Sequence, residues 1–273
     1  MTFINKEILE VIKPAKVEKR IVETFDKKSM LCWVLYPPDF DPSKKYPTLL
    51  HCQWGPQCPV SQYSMNFSLI ASHGYIVISP NRRGLPGFGR EWLEEISGDY
   101  YNCCMKDYLS AIDDISKEEY VNKDNLGAIG ASFGAYSVFW LAGNHEKRFK
   151  AFIAHAGVFN VESNYIETEE MWFESWDNEG APWIKKNEEK FQNYIHSPHL
   201  YVDKWDTPIL IIHGEKDYRI LHSQGEAAFH AARMKNIPSK LLIFKDDGHN
   251  LFKPQNALIW QREFFSWLDK YLK

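Results

Sequence analysis

The chain has 273 residues, of which 44% are hydrophobic and 15% aromatic, enough for one large α/β domain or two smaller ones. A formal net charge of −4 without a long basic run argues against a nucleic-acid-binding surface and against attraction to an anionic membrane. No stretch approaches the ~18 apolar residues of a membrane-spanning helix. The first ten residues alternate apolar and charged side chains, unlike the apolar core of a signal peptide.

The N-terminal part of the chain predicts a lead-in segment followed by a β-hairpin. Residues 1–16 read as a lead-in or linker, and the compact domain is expected to span 17–273. Two runs with β-branched and alternating residues, 17–25 and 30–36, flank a polar turn and predict an antiparallel hairpin.

Beyond the hairpin, short apolar runs predict buried strands, and apolar residues three and four apart predict helices. The predicted strands are 48–53, 75–79, 126–129, 151–155, 207–213 and 240–244, and the predicted helices are 61–72, 99–117, 133–142, 223–234 and 256–272. This alternation predicts a mostly parallel central sheet with helices on both faces. Residues 159–199 break the rhythm, are rich in Trp, Tyr, Glu and Asn, and predict a small helical excursion over one end of the sheet.

One stretch carries a motif for nucleophilic catalysis. Residues 126–136 read as a strand that turns sharply into a helix at Gly130-Ala-Ser132-Phe-Gly134, the Gly-x-Ser-x-Gly pattern of a nucleophile elbow. Small residues at positions 130 and 134 keep side chains from colliding with the neighbouring strand and helix. Ser132 is therefore the candidate nucleophile of an α/β-hydrolase fold.

A serine hydroxyl needs a base and an acid to react at neutral pH. The α/β-hydrolase order is Ser, Asp, His, and Asp217 and His249 follow Ser132 in that order. Each lies just after a predicted strand, at the edge where open α/β sheets place their sites. We predict a triad of Ser132, Asp217 and His249, with Asp246 and Asp247 as alternative acids.

The tetrahedral intermediate of acyl transfer also needs two hydrogen-bond donors. Its position after the nucleophile makes the backbone N–H of Phe133 the first donor. The second is expected from the loop around Gln53, Trp54 and Gly55, either from the backbone or from the Gln53 amide. Two other roles stay open, a strand cap for Gln53 and plain packing for Trp54.

Five co-linear motifs together resemble the catalytic domain of the prolyl oligopeptidase family, nearest to its bacterial dipeptidyl-peptidase V and acylaminoacyl-peptidase-like branch. These motifs are Gln53-Trp-Gly-Pro-Gln57, Pro80-Asn-Arg-Arg-Gly-Leu-Pro-Gly-Phe-Gly89, Gly130-Ala-Ser-Phe-Gly134, His213-Gly-Glu-Lys-Asp-Tyr-Arg-Ile220 and Asp247-Gly-His249. The resemblance implies a serine peptidase that cleaves short peptides through Ser132, Asp217 and His249. It also implies that Gln53 stands where relatives often carry a tyrosine donor, and Trp54 where a glycine is common.

The resemblance sets further expectations about context. Relatives usually carry an N-terminal β-propeller, which no part of this sequence is expected to form, so residues 1–16 resemble the linker after it. As it stands the chain would be cytoplasmic, and periplasmic or exported if it derives from a longer precursor. A homo-oligomer is compatible with the sequence.

The excursion is expected to border the pocket for the residue before the scissile bond. Phe133, Tyr165 and Trp172 are candidate pocket walls. The other interpretation of each is plain packing in the excursion that caps the sheet. Arg82 and Arg83 are candidates for binding substrate carboxylates or, instead, for an ion pair beneath the site.

Two alternative functions remain open at this level, a carboxylesterase acting on small acyl esters and a catalytically silent interaction scaffold. No metal or organic cofactor is implied, since the sequence has no His-Glu-x-x-His motif and His196 with His199 is a poor ligand pair. The five cysteines have no metal-site spacing and predict buried or free thiols. They are Cys32, Cys52, Cys58, Cys103 and Cys104.

Overall fold

The computed structural model describes residues 4–55, 65–178, 180–184 and 192–273. Its strands are β1 (Lys16–Glu23), β2 (Ser29–Tyr36), β3 (Tyr46–Cys52), β4 (Ile76–Pro80), β5 (Val121–Ala131), β6 (Ala151–His155), β7 (Ile209–Gly214) and β8 (Ser239–Phe244). Its α-helices are α1 (Lys6–Val11), α2 (Met65–Ser72), α3 (Arg90–Glu94), α4 (Met105–Ile115), α5 (Phe133–Asn144), α6 (Val161–Glu167), α7 (Met171–Asp177), α8 (Gln192–Ile195), α9 (His222–Met234) and α10 (Pro254–Leu272). A π-helical turn, Tyr100–Cys104, and a 3₁₀ segment, Pro198–Lys204, complete the elements.

The eight strands form one sheet in the order β1-β2-β4-β3-β5-β6-β7-β8. The hairpin β1–β2 and the pair β2–β4 are antiparallel, and every pair from β4 to β8 is parallel. The chain passes from β3 to β4 on one side and returns to β5 on the other. The sheet therefore reverses its winding between β3 and β5, and open α/β sheets place ligands at the carboxyl ends of such strands.

Two apolar cores lie on the two faces of the sheet. Helices α4, α5 and α9 cover one face, where the buried side chains include Tyr108, Phe139 and Phe152. Helices α2 and α10 cover the other, where Phe264 and Leu268 pack on the strands. This is the α/β-hydrolase arrangement that the alternation of elements predicts, with a mostly parallel sheet and helices on both faces.

The predicted elements agree with the structure in type and differ at their ends. The predicted helix 61–72 is described from Met65 onward, and residues 61–64 lie outside the described part. The predicted helix 99–117 was wrong in its first turn, where a π-helical turn precedes α4. That wider turn begins after Asp99, whose side chain accepts a hydrogen bond from the N–H of Asn102 across 3.2 Å, and it buries Tyr100.

The described cysteines are free thiols, three of them buried, and Cys58 lies outside the described residues. No helix in the described ranges is both long and apolar enough to span a membrane. In the part that the structure describes, the excursion after β6 contains α6, α7, α8 and the start of the 3₁₀ segment.

Candidate active site

Ser132 lies between the end of β5 and the start of α5 with φ 55° and ψ −124°, in the left-handed half of backbone space. Non-glycine residues rarely adopt this conformation, which costs about 1–3 kcal/mol and persists only where the surroundings enforce it. Here the Ser132 N–H donates to the carbonyl of His155 on β6 across 2.9 Å, and its carbonyl accepts from Ala135 and Tyr136.

The two motif glycines make this turn sterically possible. A Cβ atom on Gly130 would overlap the backbone carbonyl of Gly134, and a Cβ atom on Gly134 would overlap the backbone carbonyl of Cys52 at the end of β3. Neither neighbour is a flexible side chain that could move aside. The helix α5 can therefore approach both β5 and β3 only with glycine at these two positions.

The three predicted catalytic side chains meet at the carboxyl edge of the sheet. Nε2 of His249 lies 2.9 Å from Oγ of Ser132, and Nδ1 of His249 lies 2.7 Å from Oδ2 of Asp217. Ser132 follows β5, Asp217 follows β7 and His249 follows β8, so the parallel strands bring Ser132 and His249, 117 positions apart in sequence, into hydrogen-bond contact. This arrangement can pass a proton from Ser132 to His249 and stabilise the resulting imidazolium.

Asp217 is buried and held from several sides. Its Oδ1 accepts from the backbone N–H groups of Arg219 and Ile220, each across 3.0 Å. Nε2 of His213 lies 3.3 Å from its Oδ2 and 2.8 Å from the carbonyl of Ile220. Burial alone would raise the pKa of Asp217, but hydrogen bonds from His213, His249 and Ile220 outweigh it and lower the pKa well below its usual range. Asp217 is therefore a carboxylate whenever the protein is folded near neutral pH.

The two alternative acids have other partners. Asp246 is half-exposed and pairs with Lys216 and Lys253. Asp247 accepts from the backbone N–H groups of Phe252 and Lys253 and from the amide of Asn256, so it orders the start of α10. The geometry therefore favours Asp217 as the acid that contacts His249.

Two candidates were predicted for the second oxyanion donor, the side-chain amide of Gln53 and a backbone N–H of the loop, and the structure disagrees with the first. Gln53 is buried, its amide N–H groups point to the Pro80 carbonyl and the Ser79 hydroxyl, and its backbone N–H donates to the Tyr108 hydroxyl across 3.0 Å. The prediction that the Gln53 amide donates into the oxyanion hole conflicts with this inward orientation. Trp54 and Gly55, the next two residues, do line the cleft at Ser132, so their backbone N–H groups are the remaining donors of the loop.

Phe133 occupies the position predicted for the first donor. It is the first residue of α5, and the first N–H groups of a helix have no intrahelical partner. Its ring is buried and lies under the guanidinium of Arg82, 4.6 Å from the ring centroid. The N–H beside the nucleophile is thus free of helix hydrogen bonding and fixed by the packing of its own side chain.

A narrow cavity of about 70 Å³ opens beside Ser132 and continues into a wider cleft of about 490 Å³. The walls of the narrow cavity include Tyr100, Phe133, Tyr136, Val158, Val161, Phe173, Glu174, Arg219 and Ile220. The cleft is lined by Trp54, Trp172, Glu170, Arg219 and His249, among others.

The three candidate pocket walls have different positions. Phe133 lines the narrow cavity, and Trp172 lines the cleft with 72% of its surface exposed. Tyr165 instead packs inside the excursion, where its hydroxyl bonds Ser175 across 2.6 Å and its ring meets Trp183 edge to face. These contacts support the second interpretation of Tyr165, packing within the excursion.

The two arginines of the Pro80–Gly89 motif lie beneath the site. Arg83 is buried and forms ion pairs with Asp26, Glu95 and Asp107, which matches the ion-pair interpretation. Arg82 is also buried and donates to the Tyr108 hydroxyl and the Arg83 carbonyl. Both guanidinium groups are thus buried within the protein, and Nη2 of Arg82 has no hydrogen-bond partner among the described residues.

The structure also places His196 and His199 in local contacts, with the Tyr201 hydroxyl and the Ser197 hydroxyl respectively. Over the described ranges, no group of three or more His, Cys, Asp or Glu side chains is arranged to hold a metal ion.

Sequence reasoning missed several cavity residues. Two of them could have been found from the sequence. Arg219 stands two residues after Asp217 in the His213–Ile220 motif, and Tyr136 stands one helical turn after Ser132. Tyr100, Phe173 and Glu174 come from the π-helical turn and the excursion, whose sequences have no strand rhythm that points to the sheet edge.

Together, the fold, the elbow and the Ser–His–Asp contacts define an α/β-hydrolase with a serine nucleophile. A model of the prolyl oligopeptidase family matches residues 61–273, and the chain belongs to that family. Dipeptidyl-peptidase 5 of Porphyromonas endodontalis is 55% identical over 98% of this chain, and dipeptidyl-peptidase 5 of Schizosaccharomyces pombe is 35% identical over 88% of it. The chain spans 39% and 35% of those two proteins.

Solved structures agree in fold. The acylaminoacyl peptidase of Pyrococcus horikoshii superposes with a TM-score of 0.90 at 22% identity, over 100% of this chain and 44% of that one. Dipeptidyl peptidase 4 of Porphyromonas gingivalis superposes with a TM-score of 0.84 at 24% identity, over 98% of this chain and 37% of that one.

Proposed function

We propose that this chain is the catalytic domain of a serine peptidase that cleaves amide bonds of short peptides through an acyl-enzyme. The observation that carries the proposal is the continuous hydrogen-bonded series Ser132–His249–Asp217 at the mouth of a narrow cavity. Family membership supports it, and so do relatives named dipeptidyl-peptidase 5. A dipeptidyl- or acylaminoacyl-peptidase-like specificity belongs to the same proposal.

In the proposed mechanism, Nε2 of His249 takes the proton of Ser132 as Oγ attacks the scissile carbonyl carbon. The negative oxygen that forms accepts hydrogen bonds from the N–H of Phe133 and from a backbone N–H of Trp54–Gly55. His249 then gives its proton to the departing amine, and the C–N bond breaks. A water molecule, deprotonated by His249, hydrolyses the ester on Ser132 and regenerates the hydroxyl.

The test compares wild type with Ser132→Ala on dipeptidyl and aminoacyl chromogenic amides and on p-nitrophenyl acetate. We expect amide turnover by wild type and a loss of about 10⁴-fold or more in Ser132→Ala. Ser110→Ala is the matched control, because Ser110 is partly exposed and hydrogen-bonds the Lys106 carbonyl and the Phe25 N–H, away from the triad.

Labelling with a fluorophosphonate reports the nucleophile separately from the substrate. An adduct on Ser132 with ester turnover and no amide turnover would replace the peptidase by an esterase. A folded protein without an adduct would support a catalytically silent scaffold.

A further inference from the structure

Two carboxyl groups line the narrow cavity beside Ser132, and one of them, that of Glu170, is paired with Arg219. Glu174 on α7 lines this cavity together with the aromatic residues Tyr100, Phe133 and Tyr136. A side chain that enters next to the nucleophile therefore meets flat aromatic walls, the Glu170–Arg219 ion pair and, in Glu174, an acid with no ion-pair partner among the described residues. On the proposed function, that side chain belongs to the residue before the scissile bond.

The carboxyl group of Glu174 is held in place from behind. Asn164 donates to its Oε1 across 2.8 Å and Asn178 donates to its Oε2 across 2.7 Å. Asn193 donates in turn to the side-chain oxygen of Asn178 across 2.8 Å and accepts from the backbone N–H of Tyr100 across 2.7 Å.

Asn164, Asn178 and Asn193, here called the asparagine relay, are each 1% exposed. The relay links α6, α7, α8 and the π-helical turn, so the orientation of the carboxyl group is set before a substrate arrives. Such preorganisation is expected of a group that recognises a ligand rather than one that adapts to it.

The relay leaves hydrogen-bonding capacity on the cavity side. A carboxylate oxygen can accept two hydrogen bonds, and each oxygen of Glu174 receives one from an asparagine. The hydroxyl groups of Tyr100 and Tyr136, on the cavity walls, are buried without a hydrogen-bond partner among the described residues. A substrate side chain with a terminal hydroxyl would supply a donor for the carboxylate and an acceptor for a wall hydroxyl.

We propose that Glu174 determines specificity at this pocket by selecting tyrosine over phenylalanine as the residue before the scissile bond. The aromatic walls accept either ring. The phenolic O–H donates to Glu174, whereas phenylalanine covers the carboxyl group with apolar surface and offers it no donor. A site built around a buried acceptor rejects the analogue that lacks the donor, because the acceptor is left partly unpaired.

The selection depends on pH in a defined direction. Burial raises the pKa of Glu174 to about 7, the amides of Asn178 and Asn164 lower it in part, and the charge of Glu170 raises it. The ionised form accepts the stronger hydrogen bond from a phenol and is the more costly one to cover with phenylalanine. The preference for tyrosine therefore grows as pH rises through neutrality.

Four other charged or titratable groups near Glu174 in the described ranges bear on this pH dependence, besides Glu170. Arg219 lines the same cavity and pairs with Glu170 across 3.1 Å. Tyr136 on α5 and Tyr194 on α8 have raised pKa values through burial and stay neutral over this range. Asp177 on α7, whose pKa burial raises to about 6, bonds Ser97.

The experiment measures kcat/KM for dipeptidyl amides that differ only in the last residue, tyrosine, phenylalanine or lysine, with wild type, Glu174→Gln, Glu174→Ala and Asp177→Asn. The ratio of kcat/KM for the tyrosine substrate to kcat/KM for the phenylalanine substrate removes the pH dependence of the triad, because the same triad cleaves both substrates. We expect a ratio of about ten or more in wild type above about pH 8, falling toward lower pH, and a ratio of about one to two without pH dependence in both Glu174 variants.

Asp177→Asn removes a buried acid of the same helix and should keep the wild-type ratio and its pH dependence. Fluorophosphonate labelling shows that each variant is folded. Equal turnover of tyrosine and phenylalanine substrates by wild type would overturn the inference alone, and a preference for lysine would replace it by selection of cations. If no amide is cleaved by labelled, folded protein, the proposed function fails and this inference with it.

Discussion

The hydroxyl of Tyr108 donates a hydrogen bond to the side-chain oxygen of Gln53 across 2.9 Å and accepts one from the backbone N–H of the same residue across 3.0 Å. The guanidinium of Arg82 donates to it across 3.1 Å. The hydroxyl thus uses its one hydrogen and both lone pairs, inside the core. It anchors the end of β3 immediately before Trp54 and Gly55, which border the nucleophile.

Replacement of Tyr108 by phenylalanine should therefore affect both stability and catalysis. Three buried polar groups would lose a partner, and we expect the free energy of unfolding to fall by about 2–4 kcal/mol. We also expect kcat/KM to fall about tenfold, because the loop that carries the second oxyanion donor loses its anchor. Urea denaturation and steady-state kinetics measure the two effects.

Tyr120→Phe is the control for that change. Tyr120 shares one hydrogen bond with Tyr36 across 3.1 Å, partly buried and away from Ser132. We expect a loss of about 1 kcal/mol and unchanged kinetics. Equal effects of both substitutions would contradict the anchoring role of Tyr108.

Gly134→Ala tests the contact between α5 and β3. Because the added Cβ would overlap the Cys52 carbonyl, the helix must move, and we expect a loss of more than about 3 kcal/mol or a protein that does not react with fluorophosphonate. Gly74→Ala adds the same atom where φ is +85° but no heavy atom lies within 4 Å. Only the backbone cost of about 1 kcal/mol is expected there, measured by thermal unfolding. A similar melting temperature for the two variants would sink the steric argument.

Asp217→Asn keeps the shape of the acid and removes its charge. We expect kcat to fall by about 10⁴-fold, since His249 would lose the carboxylate that sets its tautomer. Asp247→Asn alters an acid two residues from His249 that bonds the start of α10 instead. It should leave kcat within about threefold and lower the melting temperature slightly. A large kinetic effect of Asp247→Asn alone would reassign the catalytic acid.

The lowered pKa of Asp217 also predicts how stability depends on pH. The folded state holds the carboxylate where the unfolded chain, with an ordinary pKa of 3.8, is already protonated. The contribution of Asp217 is therefore complete above about pH 5 and declines as the pH falls through 3.8 toward the lower pKa of the folded state. Between about pH 6 and 3, urea denaturation should show a shallower loss of stability in Asp217→Asn than in wild type. Parallel curves would show that Asp217 is not stabilised as a carboxylate.

The sequence predicted the strands and the three residues at their ends because both depend on local pattern and order. Ser132, Asp217 and His249 each follow an apolar run, and a parallel sheet brings the ends of such runs to one edge. The orientation of Gln53 depends instead on Tyr108, 55 residues later, and on Pro80. No local pattern encodes a partner at that separation.

The pocket was predicted less well for a related reason. Its walls come partly from the π-helical turn, which contacts α4 and α8, and from α7, which contacts α6. Tyr165 and Trp172 are aromatic residues of the same excursion, yet one faces its interior and the other the cleft. Composition alone does not distinguish the two faces of so short a helical segment.

The left-handed conformation of Ser132 has a further consequence for measurement. Its backbone is held by a hydrogen bond to β6 and by glycines that contact β3, so the accessible hydroxyl exists only when β3, β5, β6 and α5 are assembled. A covalent label on Ser132 should therefore count native molecules. The labelled fraction during refolding would report when β3, β5, β6 and α5 have assembled, independently of any optical signal.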